Sequence, residues 1–244
     1  HLERAAQVAI SGADDRSAAK AWTALVRVRG LDLARYDDAH AAAGHAAAAL
    51  ERIGGDAPVQ VRLDIFRAEV LREQGQHSAA RVLLDGALAE SLRVFSEDSL
   101  EVANARTALG GVLTELGEVD AAAAQFDAAL AIRRSVHGRT HPNVGLALHN
   151  VGAAHYERGD LEAAEATMRE AVAIAETTVP VRARELATAL TALAVILDAR
   201  DREAEALVVA KRAVALADEA YGTTHPNVAL ALAAVASLHL ARGE

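Results

Sequence analysis

Apolar residues in this chain recur every three to four positions, the spacing of one face of an α-helix. In the best-defined stretch, Leu148, Val151 and Ala154 fall on one such face, and the spacing predicts a helix from Pro142 to Arg158. Proline suits the opening turn, where its missing N–H is not needed. Gly159 ends the helix, since glycine readily takes the left-handed backbone that a helix terminus asks for. A second helix is predicted from about Asp160 to Thr178, with Ala164, Met168 and Ala171 on its inner face. Gly152, Ala164 and Ala171 are small where the two helices must nearly touch, so larger side chains there should overpack the contact.

The pair is one unit of a repeat. Thr140-His141-Pro142-Asn143-Val144 returns as Thr224-His225-Pro226-Asn227-Val228, a shift of 84 residues or twice 42. Ala87-Leu88, Ala129-Leu130, Ala171-Val172 and Ala213-Val214 follow one another at steps of 42. Gly75, Gly117 and Gly159 keep the same step, with Asp201 in the next slot, and Gly110 and Gly152 keep it too. Three markers held in phase are a period.

The amino-terminal third is diverged but helical. Residues 21–30 and 33–39 suggest another helix pair, with Ala46 in the small-residue slot and Gly54-Gly55-Asp56-Ala57-Pro58 leading out of it. Residues 1–11 suit the second helix of a unit, and the stretch from His225 to Arg242 suits a first helix alone. The expected division is 1–57 for the diverged helices and 58–244 for the regular array, with five helix pairs between two half-units. The fold class expected is all-α: a right-handed α-solenoid of antiparallel helix pairs.

Composition sharpens this picture. Hydrophobic residues make up 52% of the chain but aromatics only 3%, because alanine is so common. Thin layers of closely packed helices suit such a chain better than one thick core. The net charge of −9 argues against nucleic acid and against anionic membrane surfaces, both of which call for a basic face. There is no cysteine, so disulfide and thiol chemistry are excluded. No apolar run approaches the roughly 20 residues of a membrane-spanning helix. With no signal peptide visible, a cytoplasmic location is expected. The chain opens on His1 and stops at Arg242-Gly243-Glu244 in mid-pattern, which suggests a piece of a longer protein.

Around Gly152, the run Leu148-His149-Asn150-Val151-Gly152, then Tyr156, Gly159-Asp160-Leu161, Ala164, Met168 and Ala171, resembles the tetratricopeptide repeat. The 42-residue unit opening on His-Pro resembles the kinesin-light-chain type, and the likeness runs from about residue 58 to the end. The stretch from Ala21 through Ala39 and on to Asp56 resembles the carboxy-terminal repeats of myxobacterial serine/threonine protein kinases. That likeness implies a regulatory or docking arm of a larger bacterial signalling protein. An adaptor or the sensor arm of a signalling ATPase is the alternative, and self-association through open terminal units is another. The partners implied are proteins or peptides.

A stack of this kind presents a concave surface built mainly from the first helix of each unit. Residues in phase on that face are Thr107, Gly111, Thr114 and Glu115 in one unit, and His149, Ala153, Tyr156 and Glu157 in the next. Thr188, Thr191, Val195 and Asp198 follow, then Ala233 and Ser237. Kinesin-light-chain-type repeats often carry asparagine where His149 stands; here Thr107, His149, Thr191 and Ala233 fill that slot. The ladder is missing. A mildly polar groove with scattered acids suits a partner with basic or hydroxyl groups.

Catalytic chemistry finds no footing in the sequence. There is no Gly-rich phosphate loop, no His-Arg-Asp, no Asp-Phe-Gly and no nucleophile elbow. His137 and His141 have a ligand-like spacing of four, but Gly138 and Pro142 place them across a connection, where capping is the expected role. Gly110-Gly111 lies inside a predicted helix, and Asp14-Asp15 and Asp37-Asp38 fit helix amino termini. No catalytic, cofactor-binding or metal-binding residue is expected.

Overall fold

The computed structural model describes all residues except 179–182, 223–225 and 242–244. Thr224 and His225 of the recurring motif therefore lie outside the described residues, as do the side chains of Asn227 and Ser237. Among the described residues the chain is helical, with no strand.

After α1 (Leu2–Ser11) come five pairs: α2 (Asp15–Arg27) with α3 (Tyr36–Arg52), α4 (Ala57–Glu73) with α5 (His77–Val94), and α6 (Leu100–Glu115) with α7 (Val119–His137). They continue as α8 (Pro142–Glu157) with α9 (Leu161–Thr177) and α10 (Ala183–Ala199) with α11 (Glu203–Tyr221), before a last helix, α12 (Pro226–Ala241). The fold class is the expected one, an α-solenoid of antiparallel helix pairs.

Side chains start these helices and turn residues stop them. Asp14 accepts from the Ser17 amide at 3.0 Å, Asp56 from Val59 at 3.2 Å and Ser99 from Val102 at 3.3 Å. His141 caps α8 through its ring, Nδ1 accepting from the Asn143 amide at 3.1 Å, and Pro142 follows in the first turn. Gly75, Gly117 and Gly159 hold φ of 74°, 74° and 80°, and Asp201 takes the same turn at 59°. That conformation costs a residue with a Cβ about 1–2 kcal/mol.

The chain forms two compact units, His1–Gln125 and Phe126–Glu244. In the first, α2, α4 and α6 stand side by side, and α3 and α5 pack between them. Alanine makes the close approach possible: Ala39, Ala42, Ala43, Ala46 and Ala49 of α3 are all buried. The α2 helix runs on into a π-helical turn, Val28–Asp32, that sequence periodicity does not reveal. Gly30 in this turn lies against α4, where a Cβ would come within 2.3 Å of Val70 Cγ2. In the second unit α8 neighbours α10 and α10 neighbours α12, with α9 and α11 packed against them. Gly152, Ala164 and Ala171 do mark the tight contact of α8 with α9: a Cβ on Gly152 would meet Met168 Cε at 2.9 Å. Ala164 and Ala171 are buried there.

Ion pairs tie several second helices to the next, and at two sets of repeat positions their polarity is exchanged. Arg134 of α7 holds Glu170 of α9 at 2.7 Å. One period on, Glu176 of α9 holds Arg212 of α11 at 2.6 Å, the same two positions with the signs exchanged. Two periods separate another such couple, Arg81 with Glu118 in the first unit and Glu165 with Arg202 in the second, again with the signs exchanged. Glu165 is buried, and Arg169, Arg200 and Arg202 all reach it. Burial pushes its pKa up, but the guanidinium hydrogen bonds outweigh that and hold it below the ordinary carboxylate value.

Two outcomes are expected from this geometry. Asp201→Gly should raise stability by about 1 kcal/mol in denaturant melts, since it relieves the left-handed backbone. Arg134→Glu and Glu170→Arg should each cost about 0.5–1 kcal/mol, while the double exchange, which copies the polarity of Glu176 and Arg212, should recover most of it. A double exchange no better than the singles would show that the pair is not an energetic contact.

Candidate functional site

In the second unit, α8 and α10 stand apart at their amino-terminal halves and leave a groove of about 360 Å³ floored by α9. Pro142, Gly145, Leu146 and His149 form one wall, and Arg184, Glu185, Thr188 and Ala189 the other. Ala171, Ile174, Ala175 and Thr178 form the floor. Glycine at 145 lets α8 come down on α9, because a Cβ there would lie only 3.3 Å from Ile174 Cγ2. The lining is mostly aliphatic, and Leu146 is 47% exposed.

The polar groups of the groove are largely spent on their own helices. Thr188 Oγ1 donates to the Arg184 carbonyl at 3.0 Å, and Thr178 Oγ1 to that of Ile174 at 2.8 Å. His149 differs. Its Nδ1 is buried without a hydrogen-bond partner, and burial pushes its pKa below the ordinary histidine value, so the ring is neutral.

Of the residues that the repeat phase puts on the binding face, His149 and Thr188 line this groove together. Thr191 lies nearly a turn beyond Thr188, half-buried, with its hydroxyl donating to Ala187 at 2.9 Å. Tyr156 is half-buried, Glu157 is exposed and Asp198 is half-buried; all three stand towards the carboxyl ends of α8 and α10, away from the groove lining. Thr107, Thr114 and Glu115 belong to α6 in the first unit. Thr107 Oγ1 bonds back to Ala103 at 2.8 Å and Thr114 Oγ1 to Gly110 at 3.0 Å, and Thr114 and Glu115 are exposed.

Phase reasoning centred on His149 missed Gly145, Leu146, Ile174 and Ala189, which give the groove its apolar character. The available signal was Leu146, a leucine three residues before His149 on the face turned away from Leu148 and Val151. Ile174 and Ala175 carry no such mark, because a floor residue of the second helix looks like any core position.

The histidines across the α7–α8 connection are built into it. The rings of His137 and His141 stack with centroids 4.2 Å apart and planes 12° from parallel. Stacked faces do not converge their nitrogens on a common point, and no group of three or more potential ligands gathers among the described residues. No helix among them is long and apolar enough to cross a membrane.

The fold has many solved counterparts. BtubC (BKLC) from P. vanneervenii superposes with a TM-score of 0.77 at 18% identity, over 92% of this chain and 89% of that one. Kinesin-light-chain-type TPR-like repeats from Podosopora anserina, nearly identical to one another, superpose at 0.65 and 20% identity, over 76% of this chain and 88% of theirs. A signal-transduction ATPase with numerous domains and a tetratricopeptide-repeat sensor, from Pyrococcus horikoshii, superposes at 0.69 and 13% identity. That match covers 95% of this chain but 34% of the ATPase. No curated protein matches the sequence. A tetratricopeptide-repeat model matches residues 61–135 and 105–177, and a second matches 186–227. With well over half its length matched in this way, and with the helix pairs and turn residues in register, the chain belongs to the tetratricopeptide-repeat family.

Proposed function

We propose that this chain is a docking scaffold whose α8–α10 groove receives an extended segment of a partner protein, and that it serves as the regulatory or docking arm of a larger bacterial signalling protein. The observation that carries this reading is the groove itself: an open aliphatic slot, with Leu146 held partly in water and a neutral histidine at its edge. Leu146 stands partly exposed in a slot shared with Ile174 and Ala189, and an inserted aliphatic side chain would cover it. Burial of such a side chain contributes about 1.5–3 kcal/mol.

A serine/threonine kinase is the parent favoured by the likeness of the amino-terminal helices to kinase-linked repeats. The sensor arm of a signalling ATPase is the second reading, favoured by the shared fold with the Pyrococcus horikoshii sensor. The reading frame around this segment separates them, through a kinase domain in one case and a nucleotide-binding ATPase module in the other. In both, the chain works in the cytoplasm as a binding arm without chemistry of its own.

Leu146→Asp should weaken capture of groove-binding peptides from an array by about tenfold or more, because it sets a charge in the slot. Its thermal stability should stay within about 1 kcal/mol of the parent, as befits a surface position. Unchanged capture would remove the groove from the binding surface, and a large loss of stability would make Leu146 a packing residue.

A further inference from the structure

His149 is the one titratable side chain in its row. The same register position holds Thr23, Ile65, Thr107, Thr191 and Ala233 in the other first helices. Thr107 and Thr191 return their hydroxyls to carbonyls of their own helices, at 2.8 and 2.9 Å. The His149 ring has no such outlet. Its Nδ1 is buried with no hydrogen-bond partner, in the wall of the groove of about 360 Å³.

The surroundings of the ring do not welcome a positive charge. The α9 floor, Ala171, Ile174, Ala175 and Thr178, is uncharged. Apart from its histidines, α8 carries no titratable residue from Pro142 to Ala154. From α10 come Arg184 and Glu185, one of each sign. At the start of α8, His137 of α7 stacks on His141, two turns before His149. Burial pushes the His149 pKa down. A groove with an uncharged floor and balanced charges on one wall has no net attraction for a charged residue. To an aliphatic one it presents Leu146, Ile174 and Ala189.

We propose that His149 gates the groove, which takes an uncharged aliphatic segment of a partner protein while the ring is neutral and releases it when the ring is protonated. This inference rests on the docking reading above and adds its regulation. An aliphatic side chain laid over Leu146 and Ile174 covers what remains open of the ring, so docking makes the charged form costlier still. Linkage then fixes the sign. The bound segment lowers further a pKa that burial has already lowered. Capture is complete above the pKa of the free groove and weakens as pH falls below it, by up to about tenfold for each pH unit. An acidic occupant would reverse the sign, because a carboxylate beside the ring favours its protonated form.

The test uses three labelled peptides of equal length: one neutral and rich in Leu, Ile and Val, one rich in Asp and Glu, and one rich in Arg and Lys. Each is titrated by fluorescence polarisation against the whole chain between about pH 7.5 and 4.5, a span that includes an ordinary histidine and one lowered by burial. Circular dichroism follows the fold at each pH. The aliphatic peptide should bind best and lose about tenfold in affinity towards the acid end. His149→Thr, which copies the residue at 107 and 191, should cut that loss to about twofold or less. His155→Gln, beyond the groove on α8, should leave the loss whole. By NMR of the unsubstituted chain, the His149 ring should titrate at lower pH with the aliphatic peptide bound than without it. A loss that persists in His149→Thr would belong to another group, such as the capping His141, and would overturn the proposal. So would tighter binding in acid, a preference for either charged peptide, or a His149 titration that the peptide does not move. Capture that is independent of pH but abolished by Leu146→Asp would overturn the gate and leave the docking groove standing. Aliphatic capture that survives Leu146→Asp, or no capture of any peptide, would sink both.

Discussion

An alanine-rich hairpin cannot hold itself together. Ala46, Ala49, Ala80, Ala122, Ala164 and Ala206 are fully buried, yet each removes little apolar surface from water. What alanine gives instead is proximity: helix axes come close enough for backbone and short side chains to mesh along their length. The hairpins therefore depend on the neighbours they lean against, and larger residues such as Leu63, Leu84, Leu148 and Leu190 seal those seams. Every other feature of the molecule follows from this. The turns must be short and identical, so that each hairpin meets the next in the same pose, and left-handed residues recur at 75, 117, 159 and 201.

That dependence explains what could be read from sequence. Turn glycines and small contact residues answer to geometry that is the same in every repeat, so they keep step and the period shows. The π-helical turn at Val28–Asp32 answers to a single contact, Gly30 against Val70, and it has no counterpart from which to infer it. The groove was half legible for a similar reason. His149 and Thr188 could be placed by phase, since both lie on the groove-facing side of a first helix. Ile174 and Ala175 could not, because the floor is where a second helix is left uncovered, and that depends on how far apart α8 and α10 stand.

The ion pairs show a different kind of information. Surface pairs such as Arg134 with Glu170 add little stability, and their recurrence with reversed sign would be pointless if stability were all they supplied. Their effect is on order. With Arg134 facing Glu170 and Glu176 facing Arg212, a second helix set against the wrong neighbour brings like charges together at one of these points. Nearly interchangeable repeats need such discrimination, because their apolar faces alone would accept more than one register.

The division of labour between the two rows of helices then accounts for the limits of the family likeness. Second helices carry the pairs whose signs exchange, Arg134 with Glu170 and Glu176 with Arg212. First helices bury one face, Val144, Leu148 and Val151 in α8 and Leu186, Leu190 and Leu193 in α10, which leaves the other free to differ. It does differ: the slot of His149 holds Ile65, Thr107, Thr191 and Ala233 elsewhere, and the row of Glu69 runs through arginine, glycine, alanine and valine. A family model detects the constant face and is blind to the variable one. Binding specificity is therefore to be sought where the repeats disagree, and the Leu146–His149 groove is a place where that disagreement leaves a buried group, His149 Nδ1, without a partner in its own fold.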